Sequence, residues 1–115
     1  MMVSFNRQGS IDEVIIALRS GNAVELSKYF DDNVQLTLPD KNDSYSKAQA
    51  LLILKDFFNI NDVKGFQLKY KGDSPGGHYC VGTLLTKASN FRTKVFMKMK
   101  SGKELIKDIS FLTIE

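Results

Sequence analysis

Apolar residues recur every three to four positions through the first sixty residues, and after residue 63 they recur every second position. Ile11, Val14, Ile15 and Leu18 share one face of an amphipathic helix. It starts at Ser10-Ile11-Asp12-Glu13, a capping box in which the serine oxygen takes the N3 amide while the glutamate reaches back to the Ncap amide. Gly21 ends this helix, and Asn22 with Glu25 opens a second, short one holding Val24, Leu26, Tyr29 and Phe30. A second capping box, Ser46-Lys47-Ala48-Gln49, starts a third helix with Leu51, Leu52, Leu54, Phe57 and Phe58. As the most apolar of the three, it is expected to pack deepest.

Val34-Gln35-Leu36-Thr37-Leu38 alternates as a half-buried strand and is stopped by Pro39. Later, Phe66, Leu68 and Tyr70 alternate with Gln67, Lys69 and Lys71 ahead of the turn signal Ser74-Pro75-Gly76-Gly77. Runs from Tyr79 to Ala88, Phe91 to Lys100 and Leu105 to Ile114 follow, joined by Ser89-Asn90 and Ser101-Gly102. Such short joints between alternating runs make hairpins of antiparallel neighbours. The predicted fold is α+β, ααβα followed by a four-strand antiparallel meander, with the helices packed on a curved sheet as a half-open cone. Residues 1–115 are expected to form a single domain, with 1–9 as a flexible N-terminus ahead of the first capping box.

Composition narrows the class without naming a chemistry. Hydrophobic residues make up 43% and charged residues 25%, which is enough to build a core without a metal or disulfide. Cys80 is the single cysteine, so no intrachain disulfide forms, and its apolar neighbours Tyr79, Val81 and Gly82 predict a buried, structural thiol. No apolar run approaches the roughly 20 residues of a membrane-spanning helix. The net charge of +3 is uneven, −2 over residues 1–57 and +5 over residues 58–115. Arg92, Lys94, Lys98 and Lys100 share one strand face around Phe96. One aromatic and no motif make that face a solvated one, and no nucleic-acid partner is expected.

Ser20-Gly21-Asn22-Ala23, Leu26-Ser27-Lys28-Tyr29-Phe30, Asn33-Val34-Gln35-Leu36-Thr37-Leu38, Tyr45-Ser46-Lys47-Ala48-Gln49-Ala50 and Leu54-Lys55-Asp56-Phe57-Phe58 carry a resemblance. Together with Gly72-Asp73-Ser74, Gly82-Thr83-Leu84 and the element order, they resemble the nuclear transport factor 2-like (cystatin-like) superfamily over nearly the whole chain. Within it, they resemble a family of unknown function found chiefly in Bacteroidetes. Members of that family typically begin with a secretory signal, so the resemblance implies export, although residues 1–7 lack an apolar h-region. The superfamily holds isomerases, dehydratases and epoxide hydrolases as well as binding and assembly modules without activity, so the fold does not choose among them.

Candidate chemistry is sparse. His78, the one histidine, follows Pro75-Gly76-Gly77 and is expected to be a wet residue at a sheet end. Asp108 sits inside the last strand. Pointing inward it is the best candidate for a general base, whereas on the wet face it pairs with Lys98 or Lys100. Asp31 and Asp32 fall between a helix and a strand, and Asp40-Lys41-Asn42-Asp43-Ser44 reads as a polar turn. That stretch lacks the glycine and glutamate of a calcium loop. Gly72 to Gly77 is glycine-rich but has no helix behind it to bind phosphate, so a wide hairpin loop is expected. If the cone is open, Tyr29, Tyr45 and Tyr79 are the residues to line it, each offering a hydroxyl to a ligand.

The expected function is therefore a non-catalytic binding domain that holds a small apolar or amphipathic ligand in the cone. The alternatives are a homodimeric interaction module joined through its sheet and a small enzyme of isomerase or hydrolase type using Asp108 or His78. No metal, cofactor or membrane insertion is expected.

Overall fold

Local capping sets the helix starts in the computed structural model, which describes residues 9–114. The Asn22 side chain accepts from the Glu25 amide at 3.1 Å and opens α2 (Ala23–Ser27). The Ser46 hydroxyl accepts from the Gln49 amide at 3.2 Å and opens α3 (Lys47–Asn61). Both are the side-chain caps that the sequence announces. Helix α1 spans Gly9–Ser20, so Ser10 lies within its first turn and not at its cap. Residues 1–8 of the expected flexible N-terminus lie outside the described residues. Helix α2 stops at Ser27, leaving Tyr29 and Phe30 beyond it.

The strands are β1 (Phe30–Leu38), β2 (Lys41–Ser46), β3 (Val63–Ser74), β4 (Gly77–Thr86), β5 (Asn90–Lys100) and β6 (Lys103–Thr113). They form one sheet in the order β2-β1-β6-β5-β4-β3. The expected ααβα followed by a four-strand meander is corrected on two counts. The sheet is six-stranded and mixed, because β1 joins the edge of β6 in parallel. Moreover, the supposed turn at Asp40 to Ser44 is most of a strand, β2, folded back antiparallel on β1. With Tyr45 as its single apolar residue, this edge strand has no alternation to read. It is held by the open edge of β1 and by Asn42, whose oxygen accepts from Gln35 at 2.7 Å and from Thr37 at 3.0 Å. Asp31 and Asp32 likewise belong to β1. The expected wide loop at 72–77 shrinks to the Pro75-Gly76 turn, since β3 and β4 pair as far as Ser74 and Gly77.

Alternation separates the two sheet faces. Cys80, Leu84, Phe91, Val95, Met97, Ile106, Ile109 and Phe111 are buried in the core with the helices. Helix α1 contributes Ile11, Val14, Ile15, Ala17 and Leu18 to that core, whereas α3 fully buries only Ala50, Leu54 and Phe58. Thus α1 packs deeper than the more apolar α3, whose Leu52 and Ile60 face solvent. One end of the cone is filled by aromatic rings. Phe57 meets Phe91 at 5.1 Å and Phe111 at 5.4 Å, and Phe58 meets Phe111 edge-on at 5.8 Å.

A β-bulge decides which face Asp108 occupies. Met97 pairs with Ile106 and Phe96 with Asp108, leaving Lys107 as the extra residue. Strict alternation from buried Ile106 would turn Asp108 inward. The extra residue turns it outward and brings Ile109 in.

Candidate functional site

The end of the cone opposite the phenylalanines is open. The first turn of α1, the exit of α2 and the β5–β6 hairpin surround a cleft of about 550 Å³ there. Tyr29, Met99 and Leu105 supply its apolar lining, while Lys28, Lys103, His78 and Glu104 supply its charges. The backbone sets Tyr29 in place, because its carbonyl accepts from the Ile106 amide at 2.6 Å. Burial and the nearby Glu13 and Glu25 raise the Tyr29 phenol above its ordinary pKa, against Lys28, so it stays a neutral hydroxyl at physiological pH. Lys28 is engaged by Glu25 at 2.8 Å, whereas Lys103 has no carboxylate partner among the described residues.

His78 stands between two carboxylates inside this end of the cone. Its Nδ1 is hydrogen-bonded to Glu104 Oε2, and its Nε2 lies 3.2 Å from Asp73 Oδ1. The side chain of Glu104 is only 8% exposed, against 44% for His78 and 83% for Asp73. A neutral imidazole carries one N–H, so donation to both acids at once requires the protonated ring. His78 thus stands at the turn end of β4 with its side chain 44% exposed, and it adds two carboxylate partners and a place in the cleft wall to the expected wet position. Sequence reasoning does not single out Glu104. The signal that locates it is the Ser101-Gly102 turn, which pairs Met99 with Glu104. Asp73 and Glu104 approach the ring from opposite sides, so they share no metal position. No group of three or more such side chains is placed to hold a metal ion among the described residues.

The remaining candidates separate. Tyr45 packs against the core from β2, and Tyr79 rises on the sheet face turned away from the helices, so the three tyrosines do not line one cavity. Asp108 occupies that same outer face, opposite Phe96, and forms no ion pair with Lys98 or Lys100 among the described residues. The protein around it pushes its carboxyl above the ordinary value, against the pull of Lys94. Lys100 turns instead to Asp31 at 2.8 Å and Asp32 at 3.6 Å. Cys80 is fully buried, and burial pushes its thiol up to about 11, so the thiolate is scarce at neutral pH.

The family described as Domain of unknown function (DUF4783) matches residues 11–111. The chain belongs to that family. A DUF4783 family protein from Bacteroides ovatus, known from its crystal structure, is 33% identical. It aligns over 90% of this chain and 94% of its own, with a TM-score of 0.85. A second DUF4783 protein, from Bacteroides uniformis, is 28% identical over 92% of this chain and 98% of its own, with a TM-score of 0.88. An NTF2-like protein of unknown function from Cytophaga hutchinsonii covers 99% of this chain and 95% of its own with a TM-score of 0.68. At 10% identity it speaks for the fold alone. No curated protein matches the sequence. The DUF4783 match spans both the open end of the cone and the outer sheet face, and it attaches a chemistry to neither.

Proposed function

We propose that this DUF4783 chain is a binding domain that holds a small amphipathic ligand at the open end of the cone. The cleft between α2 and the β5–β6 hairpin carries the reading. Its volume of about 550 Å³ falls within the roughly 300–1,000 Å³ typical of small-molecule sites. Met99, 53% exposed, offers apolar surface to a ligand's hydrocarbon part, and Lys103 at the rim offers an ammonium to an anionic or hydroxyl head. Native mass spectrometry of the protein purified gently from its host tests this. A retained small molecule that is lost in Met99→Glu supports it. A mass equal to that of the polypeptide, or retention unaffected by Met99→Glu, overturns it.

A second reading, a small enzyme, is favoured by one observation. His78 and nearly buried Glu104 form an imidazole–carboxylate pair in the wall of the same cleft, the arrangement that orients a general base. Its test is turnover of whatever molecule the cleft retains. Loss of turnover with retained binding in His78→Gln supports catalysis, and unchanged turnover removes it.

A further inference from the structure

The outer face of the sheet carries a second groove, separate from the cone mouth, of about 350 Å³. Tyr79 and Phe96, paired across β4 and β5, give it aromatic walls. Tyr70 props the Tyr79 ring edge-on at a centroid distance of 6.2 Å. Three polar groups also line it, and none has a partner among the described residues. Lys94 and Asp108 form no ion pair, and Ser74 Oγ is buried without any hydrogen bond. A buried hydroxyl without a protein partner marks that end of the groove as polar.

The charges are opposite in sign and form no ion pair. Asp108 faces Phe96, and Lys94 faces Ser110, which makes Asp108 and Lys94 diagonal neighbours on adjacent strands. Diagonal neighbours stand roughly 7–8 Å apart at Cβ. Their charged ends make no ion pair, so the amine and carboxylate of an α-amino acid can sit between them, each in a charge-assisted hydrogen bond of about 2.8 Å. The groove thereby suits a neutral zwitterion, which engages both protein charges where an anion or a cation engages one. A flat apolar side chain suits Phe96 and Tyr79, and Ser74 at the β3 end suits a side chain with a polar tip. We infer that this groove binds a free aromatic α-amino acid, its ammonium on Asp108, its carboxylate on Lys94 and its ring against Phe96 and Tyr79.

The test is an amide-resolved NMR titration of the full chain with L-tyrosine. Expected are saturable shifts at Phe96 and Asp108, with the Met99 and Glu104 amides unmoved, so that this site is read independently of the cone mouth. N-acetyl-L-tyrosine amide, which carries neither charge, should bind at least tenfold more weakly. Lys94→Met and Asp108→Asn, both at exposed positions, should each weaken L-tyrosine at least tenfold while leaving the folded spectrum intact. The proposal is overturned if L-tyrosine produces no shifts at millimolar concentration, if the blocked compound binds equally well, or if the shifts map to the cone mouth. Shifts at the same amides from glucose but not from tyrosine would also overturn it, by replacing charge recognition with hydroxyl recognition.

Discussion

Asp31, the second residue of β1, and Lys100, the last residue of β5, are 69 positions apart and meet at 2.8 Å. The Asp31 side chain is 4% exposed, while Lys100 stays half in solvent. Lys107, the extra residue of the β6 bulge, reaches the other carboxylate oxygen at 3.2 Å, and the Asp32 amide donates at 2.7 Å. These donors fasten the parallel β1–β6 junction that carries β2 at the sheet edge. The Lys100 hydrogen bond leads in holding the Asp31 carboxyl down to about 2 from its ordinary 3.8. The Asp32 amide and Lys107 assist, and burial works in the opposite direction.

A carboxylate depressed on folding adds stability above its unfolded pKa, and this contribution fades as pH falls through the folded value. Asp31→Asn should therefore cost about 2 kcal/mol at pH 7, the scale of a shift of nearly two pH units. The difference from the parent should shrink below pH 4, be mostly lost by pH 2 and be gone near pH 1, below both pKa values. Urea denaturation across that range measures it, and a difference independent of pH would remove the ion cluster as its cause.

Cys80 is fully buried, and its thiol is pushed up to about 11. A thiol-specific disulfide reagent at neutral pH should leave the native protein unlabelled for as long as it stays folded and label one site in denaturant. Rapid labelling of the folded protein would show that β4 opens locally.

Gly77 owes its identity to close approach. A Cβ there would sit 1.9 Å from the Met97 carbonyl oxygen, on the neighbouring strand and part of the backbone. Gly77→Ala should force β4 and β5 apart and destabilise the fold by about 1–3 kcal/mol or more. Thermal melting measures this, and an unchanged midpoint would show that the hairpin yields freely.

His78→Ala leaves the nearly buried Glu104 carboxylate without its partner. The expected loss is about 1–3 kcal/mol, and His78→Ala with Glu104→Gln should be less destabilised than the single change. A double-mutant cycle gives the coupling, and strict additivity would mean that the two side chains act independently.

The chemistry of a few neighbouring residues determined much of this fold. Asn22 and Ser46 cap helices because a side-chain oxygen reaches an amide three residues on. Phe91, Val95 and Met97 alternate with Arg92, Lys94 and Lys98 because a pleated strand presents successive side chains to opposite faces. Cys80 is buried as its apolar neighbours imply.

What the chain could not declare by itself depends on residues far apart in sequence. The polar stretch from Lys41 to Ser46 becomes a strand because β1 offers it an edge, and edge pairing needs no apolar pattern. Asp108 faces outward because one unpaired residue, Lys107, shifts the register of β6 against β5, and such a slip reverses every side chain beyond it. His78 meets Glu104 across 26 positions only once β4 and β6 flank β5. Capping and alternation are settled by neighbours in the chain. Strand order, register and the partners of buried charges are settled by packing, and packing exists only once the chain has folded.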